Sequence, residues 1–464
     1  HAYASHQIND RVSVGLGVFV PFGSGTEYER DSVLRYNVNE LGLQTIAIQP
    51  TVAFKLNDQH SFAVGLVAQN TSAELRQYAN FGPAVKSGIQ TKLDETVKEN
   101  TKGLGPNGGS LTTSQLIGMI PNIQNGIKAA EAGIKQLDAG IAQAEAAGAT
   151  AQANALKAQK AAVEQQLAGA QTSLLGAKQA EATQNKINGM GSGNGMADGH
   201  AKVKGDDWGF GYNLAWMWDI NDAVRVGVNY RSKVTHNLKG HAEWYLEDGM
   251  FNDPTLGSDI KKSIRGRNYA SKETASVKIV TPESLSLHGM WKVDPKWNLF
   301  ADATWTRHSR FNQAILQYEN MKTVLPAADG SKSSKTVLNP NWKDTWKFGV
   351  GASYQITEPL QLRFGLAYDQ SPVRSSEFRM STLPDNDRIW FSVGGKYDIN
   401  KHHTVNVAYS YIYIKDADAQ VNGYGTDKGA WGPGSTASVS SKTNGSAKFD
   451  SNAHILGVQY TYKF

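Results

Sequence analysis

Residues 207–220 constrain the fold more than any other stretch of this chain. Even positions carry Trp208, Phe210, Tyr212, Leu214, Trp216, Trp218 and Ile220, while odd positions carry Asp207, Gly209, Gly211, Asn213, Ala215, Met217 and Asp219. Successive side chains of a strand point to opposite faces, so one face here is aromatic and aliphatic and the other small or polar. The pattern recurs at Val12 to Val20, Ile46 to Leu56, Val224 to Val234, Leu285 to Val293, Trp346 to Ile356, Leu360 to Tyr368, Ile389 to Ile399 and Val405 to Tyr413. A water-soluble sandwich also alternates, but its polar face looks outward and carries more Lys and Glu. Here the second face is rich in Gly, Ser, Asn and Ala, as a packed or watery lumen requires. The alternation predicts an all-β, antiparallel transmembrane barrel.

Composition is compatible with that reading. The chain contains no run of about 18 apolar residues, which excludes a transmembrane helix. Its mean hydropathy of −0.43 does not exclude a barrel, because a barrel hides its apolar residues in every second position. The 464 residues include no cysteine, which excludes a disulfide framework, a zinc finger and a Cys nucleophile. A net charge of +5 is small for this length and makes no case for nucleic acid.

The connections strengthen the expectation. Short turns fall at Asn9-Asp10, Asn57-Asp58, Asn221-Asp222, Asp294-Pro295, Glu358-Pro359 and Asn400-Lys401, all residues that favour tight turns. Between them lie long links, roughly 23–43, 77–202, 242–271, 312–341, 372–386 and 416–448, and short and long alternate throughout. Outer-membrane barrels do this, with short periplasmic turns and long extracellular loops. Trp218, Trp291, Trp297, Tyr354 and Tyr397 sit beside the short turns on the apolar parity, as an interfacial girdle requires. The chain ends on alternating Leu456, Val458, Tyr460, Tyr462 and Phe464, the usual assembly signal of such barrels. Thirteen strands are expected. Bacterial single-chain barrels have an even count, so the expectation is a fragment of a fourteen-stranded barrel lacking its first strand.

Several blocks resemble the FadL family of outer-membrane long-chain fatty-acid transporters. They are Gly205-Asp206-Asp207-Trp208-Gly209-Phe210-Gly211-Tyr212-Asn213, Thr281-Pro282-Glu283, Val293-Asp294-Pro295-Lys296-Trp297, Asp369-Gln370-Ser371-Pro372-Val373 and Leu383-Pro384-Asp385-Asn386-Asp387-Arg388-Ile389-Trp390. The resemblance covers most of 203–464, and 1–80 follows the same turn spacing more loosely. It implies a plugged fourteen-stranded barrel that carries hydrophobic molecules across the outer membrane. The family's N-terminal hatch and its Asn-Pro-Ala signature are not in this chain. Importers of toluene-type hydrocarbons share the resemblance, so fatty acid is not the only solute it allows.

Pro21-Phe22-Gly23 follows a dozen residues of clean strand, and Pro removes a ladder donor, so the sheet opens or bulges there. The position matches the family's wall-opening kink, which implies lateral release of ligand into the bilayer; a plain strand end at the outer rim is the alternative. Link 242–271 holds Trp244, Tyr245, Met250, Phe251, Ile260 and Ile264, an apolar cluster where water is expected. It reads as a capture groove or as loop-on-loop packing. A carboxylate ligand wants a cation beside an apolar pocket, and the candidates are Arg76, Lys343 and Lys335. Arg388 lies in the best-matched block and is a further candidate, with a structural ion pair to nearby Asp385 or Asp387 as the alternative. Inward-facing Arg225, Arg231, Lys233 and Arg363 are expected to pair with luminal acids such as Asp302 and Asp369.

Residues 1–82 and 201–464 therefore read as barrel, and 83–200 as an Ala-rich insertion. Inside it Ile120, Ile127, Ile134 and Ile141 recur every seven residues, and a second register starts at Leu156 and Val163 after Gly148. This predicts an extracellular antiparallel helical hairpin with arms of about 28 residues, or roughly 40 Å. Gly126, Gly133 and Gly140 lower its intrinsic propensity, so the partner arm must stabilise it.

No HExxH or Gly-x-Ser-x-Gly motif occurs, and His402-His403 lies on a short turn. Neither catalysis, nor a metal, nor a cofactor is expected. The expected partners are a hydrophobic small molecule and the lipid and lipopolysaccharide of the outer membrane, with the chain acting as a monomer. A general porin and an adhesin using the hairpin are the other classes.

Overall fold

The computed structural model describes residues 1–103, 111–190, 195–247, 249–323, 332–422 and 444–464. Its strands are β1 (Ala2–Gln7), β2 (Val12–Phe19), β3 (Gly23–Glu27), β4 (Glu40–Lys55), β5 (His60–Asn80), β6 (Asp198–Asp219), β7 (Val224–Arg231), β8 (Val234–Tyr245) and β9 (Lys272–Thr281). They continue with β10 (Ser284–Lys292), β11 (Trp297–Thr306), β12 (Ala314–Thr323), β13 (Lys332–Leu338), β14 (Thr345–Gln355), β15 (Leu360–Asp369), β16 (Arg388–Asp398), β17 (His403–Asn422) and β18 (Asn444–Tyr462). The helices are α1 (Gly82–Asn100), α2 (Thr113–Gly118), α3 (Ile120–Ala146), α4 (Thr150–Gly189) and α5 (Gly257–Arg265).

The strands form one antiparallel sheet. In one tier β2 pairs with β1 and β4, β7 with β10, β11 with β14, and the ladder continues to β17 with β18. In the other tier β3 pairs with β4, β6 and β9 with β8, and β12 with β9 and β13. So β2–β3, β7–β8, β9–β10, β11–β12 and β13–β14 are each one stave interrupted midway. The eighteen strands make the thirteen staves that the alternation predicts.

Burial is inverted relative to a soluble sheet. The apolar parity is exposed, with Phe210 at 75%, Leu456 at 74% and Val458 at 70%, while Thr45, Gln69 and Ser353 on the other parity are buried. Hydrocarbon solvates such a face and water does not, which is the requirement of a transmembrane wall. The short turns explain themselves: in five of them the first Asn or Asp caps its own turn. Asn9 Oδ1 accepts the N–H groups of Arg11 and Val12 at 2.9 Å each, and Asn57, Asn221, Asp294 and Asn400 repeat the arrangement. Beside the turns, Trp297 packs tilted against Tyr354 at 4.7 Å, and His60 stacks against Trp216 and Trp218 at 5.8 Å.

Residues Asn80–Asp198 with Asp248–Ile264 form a second compact unit. Here α3 and α4 run antiparallel, tied by Lys160 to Asp138 and Lys157 to Glu145, both at 2.6 Å. Gly148, at φ +74°, takes the left-handed position that ends α3, and Ala149 N–H reaches back to the Ala144 carbonyl at 2.9 Å. The second arm is 40 residues, longer than its expected length. The extra turns bury Ala177 and Ala180 against Val97, Leu116 and Ile120 of α1, α2 and α3.

Asp253 of this unit ion-pairs with Lys186 and accepts the N–H groups of Thr255 and Leu256 at 2.9 Å each. Burial pushes its carboxyl up, but Lys186 and the two N–H groups outweigh that and hold it below the ordinary Asp value. Its stabilisation is therefore present above the ordinary value and lost as pH falls through the lowered one. Asp253→Asn should cost this unit about 1 kcal/mol at neutral pH, with the deficit closing in acid. Helical melting followed by circular dichroism at both pH values reads the two parts.

Candidate functional site

The interruptions of the staves lie at Val20–Phe22, Ser232–Lys233, Pro282–Glu283, Arg307–Gln313 and Asn339–Asp344. Four of the five send residues into one cavity of about 770 Å³, lined among others by Pro21, Phe22, Pro282, His308, Phe311 and Trp342. That volume is in the range of ordinary small-molecule sites. Leu41 and Leu43 of β4, Leu75 of β5, Val277 and Ile279 of β9 and Leu316 of β12 supply an apolar wall. Arg388, Lys347, Asp369 and Asp385 supply polar groups.

The geometry at Pro21 is a β-bulge. Phe19 faces Ala47 on β4 and Gly23 faces Gln44, so four steps along one stave match three on the other. The extra residue reverses parity: Leu16 and Val20 are exposed, whereas Ser24 and Thr26 line the cavity. Thr45, fully buried, holds the bulge. Its hydroxyl donates to the Phe22 carbonyl at 2.7 Å and accepts the Phe22 N–H at 2.9 Å. Sequence reasoning missed Thr45, because which residue of β4 stands against the Pro21 break is set by strand register and by no local pattern.

The link after β15 folds in with its polar groups satisfied. Arg388 Nη2 lies 3.2 Å from Asp385 Oδ1 and its Nε 4.0 Å from Asp369. Ser371 donates its hydroxyl to Asp385 and its N–H to Asp387, both at 2.9 Å. Burial pushes the Asp385 carboxyl up, against the pull of Arg388 and Ser371. Met380, Ser381 and Thr382 are buried in the same link. The Asp-Gln-Ser-Pro and Leu-Pro-Asp-Asn-Asp blocks thus meet in space.

A further cation was missed by sequence reasoning. Lys347 of β14 lines the cavity with its Nζ 4.4 Å from the Trp390 ring centre. Among the described residues no carboxylate stands within ion-pair distance of it. The aromatic side is built by Trp342, met edge-on by Phe311 at 4.9 Å and by His308 at 5.7 Å.

The predicted site residues are placed as follows. Pro21, Phe22 and Gly23 line the cavity. Arg76 does not: it shares the parity of exposed Phe62, Val64 and Leu66, and the β4–β5 register is constant up to Glu40 opposite Arg76. There Arg76 is already paired, with Glu40 at 2.8 Å and Glu27 at 3.0 Å. Lys343 is exposed, away from the lining, and donates its N–H to the Pro372 carbonyl at 3.0 Å. Trp244 is 2% exposed, edge-on to Tyr269 at 4.8 Å, and Phe251 is 1% exposed, edge-on to Phe81 at 6.2 Å. Tyr245 is half-buried, stacked on His200 at 4.9 Å and hydrogen-bonded to Glu243. Lys335 is exposed and lies outside the lining. Arg225 pairs across its short turn with Asp219 at 2.5 Å and not with Asp302, because the hairpin register sets those two opposite each other.

Comparison with known proteins supports the same fold. A putative outer membrane protein of Neisseria meningitidis serogroup B is 45% identical over all 464 residues of this chain, which cover 76% of that protein. The long-chain fatty acid transport protein of Escherichia coli K12 is 28% identical over 236 residues, 51% of this chain and 48% of that protein, so the match spans about half its length. Among solved structures, a Pseudomonas aeruginosa FadL homologue superposes with a TM-score of 0.62 at 18% identity, covering 99% of this chain and 77% of that one. The Pseudomonas putida toluene transporter TodX gives 0.51 at 14% identity, covering 100% and 82%. The model for outer membrane protein transport proteins (OMPP1/FadL/TodX) matches residues 1–120 and 143–464, and this chain belongs to that family.

Proposed function

We propose that the chain takes a hydrophobic carboxylate, a long-chain fatty acid, into the 770 Å³ cavity and releases it sideways through the wall at Pro21-Phe22-Gly23. The observation that carries this reading is one lining with three parts: an apolar wall, a bulged stave, and Lys347 without an acidic partner among the described residues. The apolar wall takes the chain of the solute, and Lys347 takes its carboxylate. Lateral release keeps the solute out of water, which a lipophile otherwise meets in the periplasm. Capture at Trp244, Tyr245 and Phe251 requires a rearrangement, since two of the three are closed off from solvent. The helical unit follows β5, at the end of that stave where the long links occur, so we assign it to the extracellular side.

Binding of oleate by the purified protein tests the carboxylate assignment. Lys347→Gln should weaken oleate about tenfold, the worth of one charged hydrogen bond, and leave toluene unaffected. Equal losses for both solutes would refute a carboxylate contact. The second reading, an importer of aromatic hydrocarbons, rests on the Phe311–Trp342–His308 cluster. It is favoured if toluene binds more tightly than oleate. Ligand extracted from purified protein and identified by mass spectrometry decides between the two directly.

A further inference from the structure

The outer face of the wall changes character abruptly across β6, β8 and β9. On β6 Phe210 and Trp208 are 75% and 50% exposed and belong to the apolar band. The next residues on that parity are Asp206, Lys204 and Lys202. Register carries the change sideways: Lys239 of β8 faces Asp206, and His241 faces Lys204. On β9 Ser276 faces Lys239, and Lys278 faces Asn237, so Lys239 and Lys278 are diagonal neighbours on one exposed face, about 7–8 Å apart. Lys202 and Lys204 are spoken for, since Glu74 binds them at 2.8 and 3.0 Å. Glu319, the nearby acid on β12, is hydrogen-bonded to Thr274. Among the described residues Lys239 and Lys278 have no carboxylate within ion-pair distance, Asp206 included.

Two unpaired ammonium groups therefore stand on a hydrogen-bonded sheet directly above an apolar surface. The ladder fixes the backbone positions of the two lysines, so only their side chains have to be ordered on binding. We propose that this face is a binding site for the phosphorylated headgroup of an outer-leaflet lipid, with Lys239 and Lys278 holding the phosphate. The acyl chains lie against Trp208 and Phe210. Charge complementarity selects the anion, and continuity with the lipid-facing band selects a lipid over a soluble phosphate. The site rests on the outer-membrane placement of the wall. Neither Lys239 nor Lys278 lines the cavity, so the loss of either is not expected to change solute binding.

The test uses the full chain in phosphatidylcholine nanodiscs doped with bisphosphorylated lipid A, with bound lipid counted by native mass spectrometry. Each of Lys239→Gln and Lys278→Gln should lower lipid A occupancy about fivefold, the usual worth of one cation at an anionic surface, and the double variant more. Lys128→Gln in α3 should change nothing. Heat-modifiable gel mobility checks folding, and if the double variant misfolds the single ones are read. Wild-type occupancy in folded variants overturns the site. Displacement of the lipid by inorganic phosphate alone overturns the lipid assignment. Loss of oleate binding with lipid occupancy intact would instead count against the transport reading.

Discussion

Replacing Pro21 and Gly23 together with valine should reduce solute uptake to background while the barrel still folds and inserts. Pro21 lacks the N–H that would continue the ladder, and the bulge at Val20–Phe22 follows from that lack. Valine restores the donor and favours extended backbone, which lets β2 and β3 run on as one sealed stave. The substitution is sterically mild: a Cβ at Gly23 meets the Leu43 carbonyl at 3.8 Å and Val20 at 4.0 Å, ordinary contact distances. Uptake of labelled oleate by cells lacking their own transporter is the measurement, with heat-modifiable mobility as the folding control. Normal uptake by the folded double variant would sink the lateral route.

The largest effect on stability is expected at Lys322. This residue of β12 and Glu273 of β9 form an ion pair in which both side chains are 0% exposed. Lys322 also donates to the Asn320 carbonyl at 3.0 Å, and Glu273 accepts the Asn320 N–H and side-chain amide at 2.9 Å each. Lys322→Met leaves the Glu273 carboxylate buried without its cation, which should cost about 3–5 kcal/mol. The double change Lys322→Met with Glu273→Gln removes both charges and should recover most of that loss. Urea unfolding in detergent gives the four corners of the cycle. A single-variant loss below about 1 kcal/mol would mean that water reaches the pair.

Particular elements show what could be read from the sequence alone. The stave count and the lipid-facing parity followed from a period of two, because in a membrane wall each side chain's environment is set by its own position on the pleat. The turns at Asn9, Asn57, Asn221, Asp294 and Asn400 were equally legible, since each caps itself within three residues. The hairpin was visible as heptads. For Arg76 the sequence shows a cation near a strand end but not its partners: the pairing of β3, β4 and β5 brings Glu27 and Glu40 to it.

The cavity was not legible. Alternation assigns a side chain to one face of a strand only until a bulge occurs, and at Phe19 to Gly23 one extra residue reverses the assignment for everything that follows in the stave. Which breaks coincide in height depends on the register of neighbours far apart in sequence, as with Thr45 and Phe22, or Thr281 and Val234. The free charge of Lys347 and the spent charge of Arg388 differ only in which acids the folded links bring near. Local chemistry thus determined the wall, its turns and its membrane-facing side. Only the tertiary register decided which interruptions of the wall line one cavity, because that depends on long-range pairing, which no periodic pattern encodes.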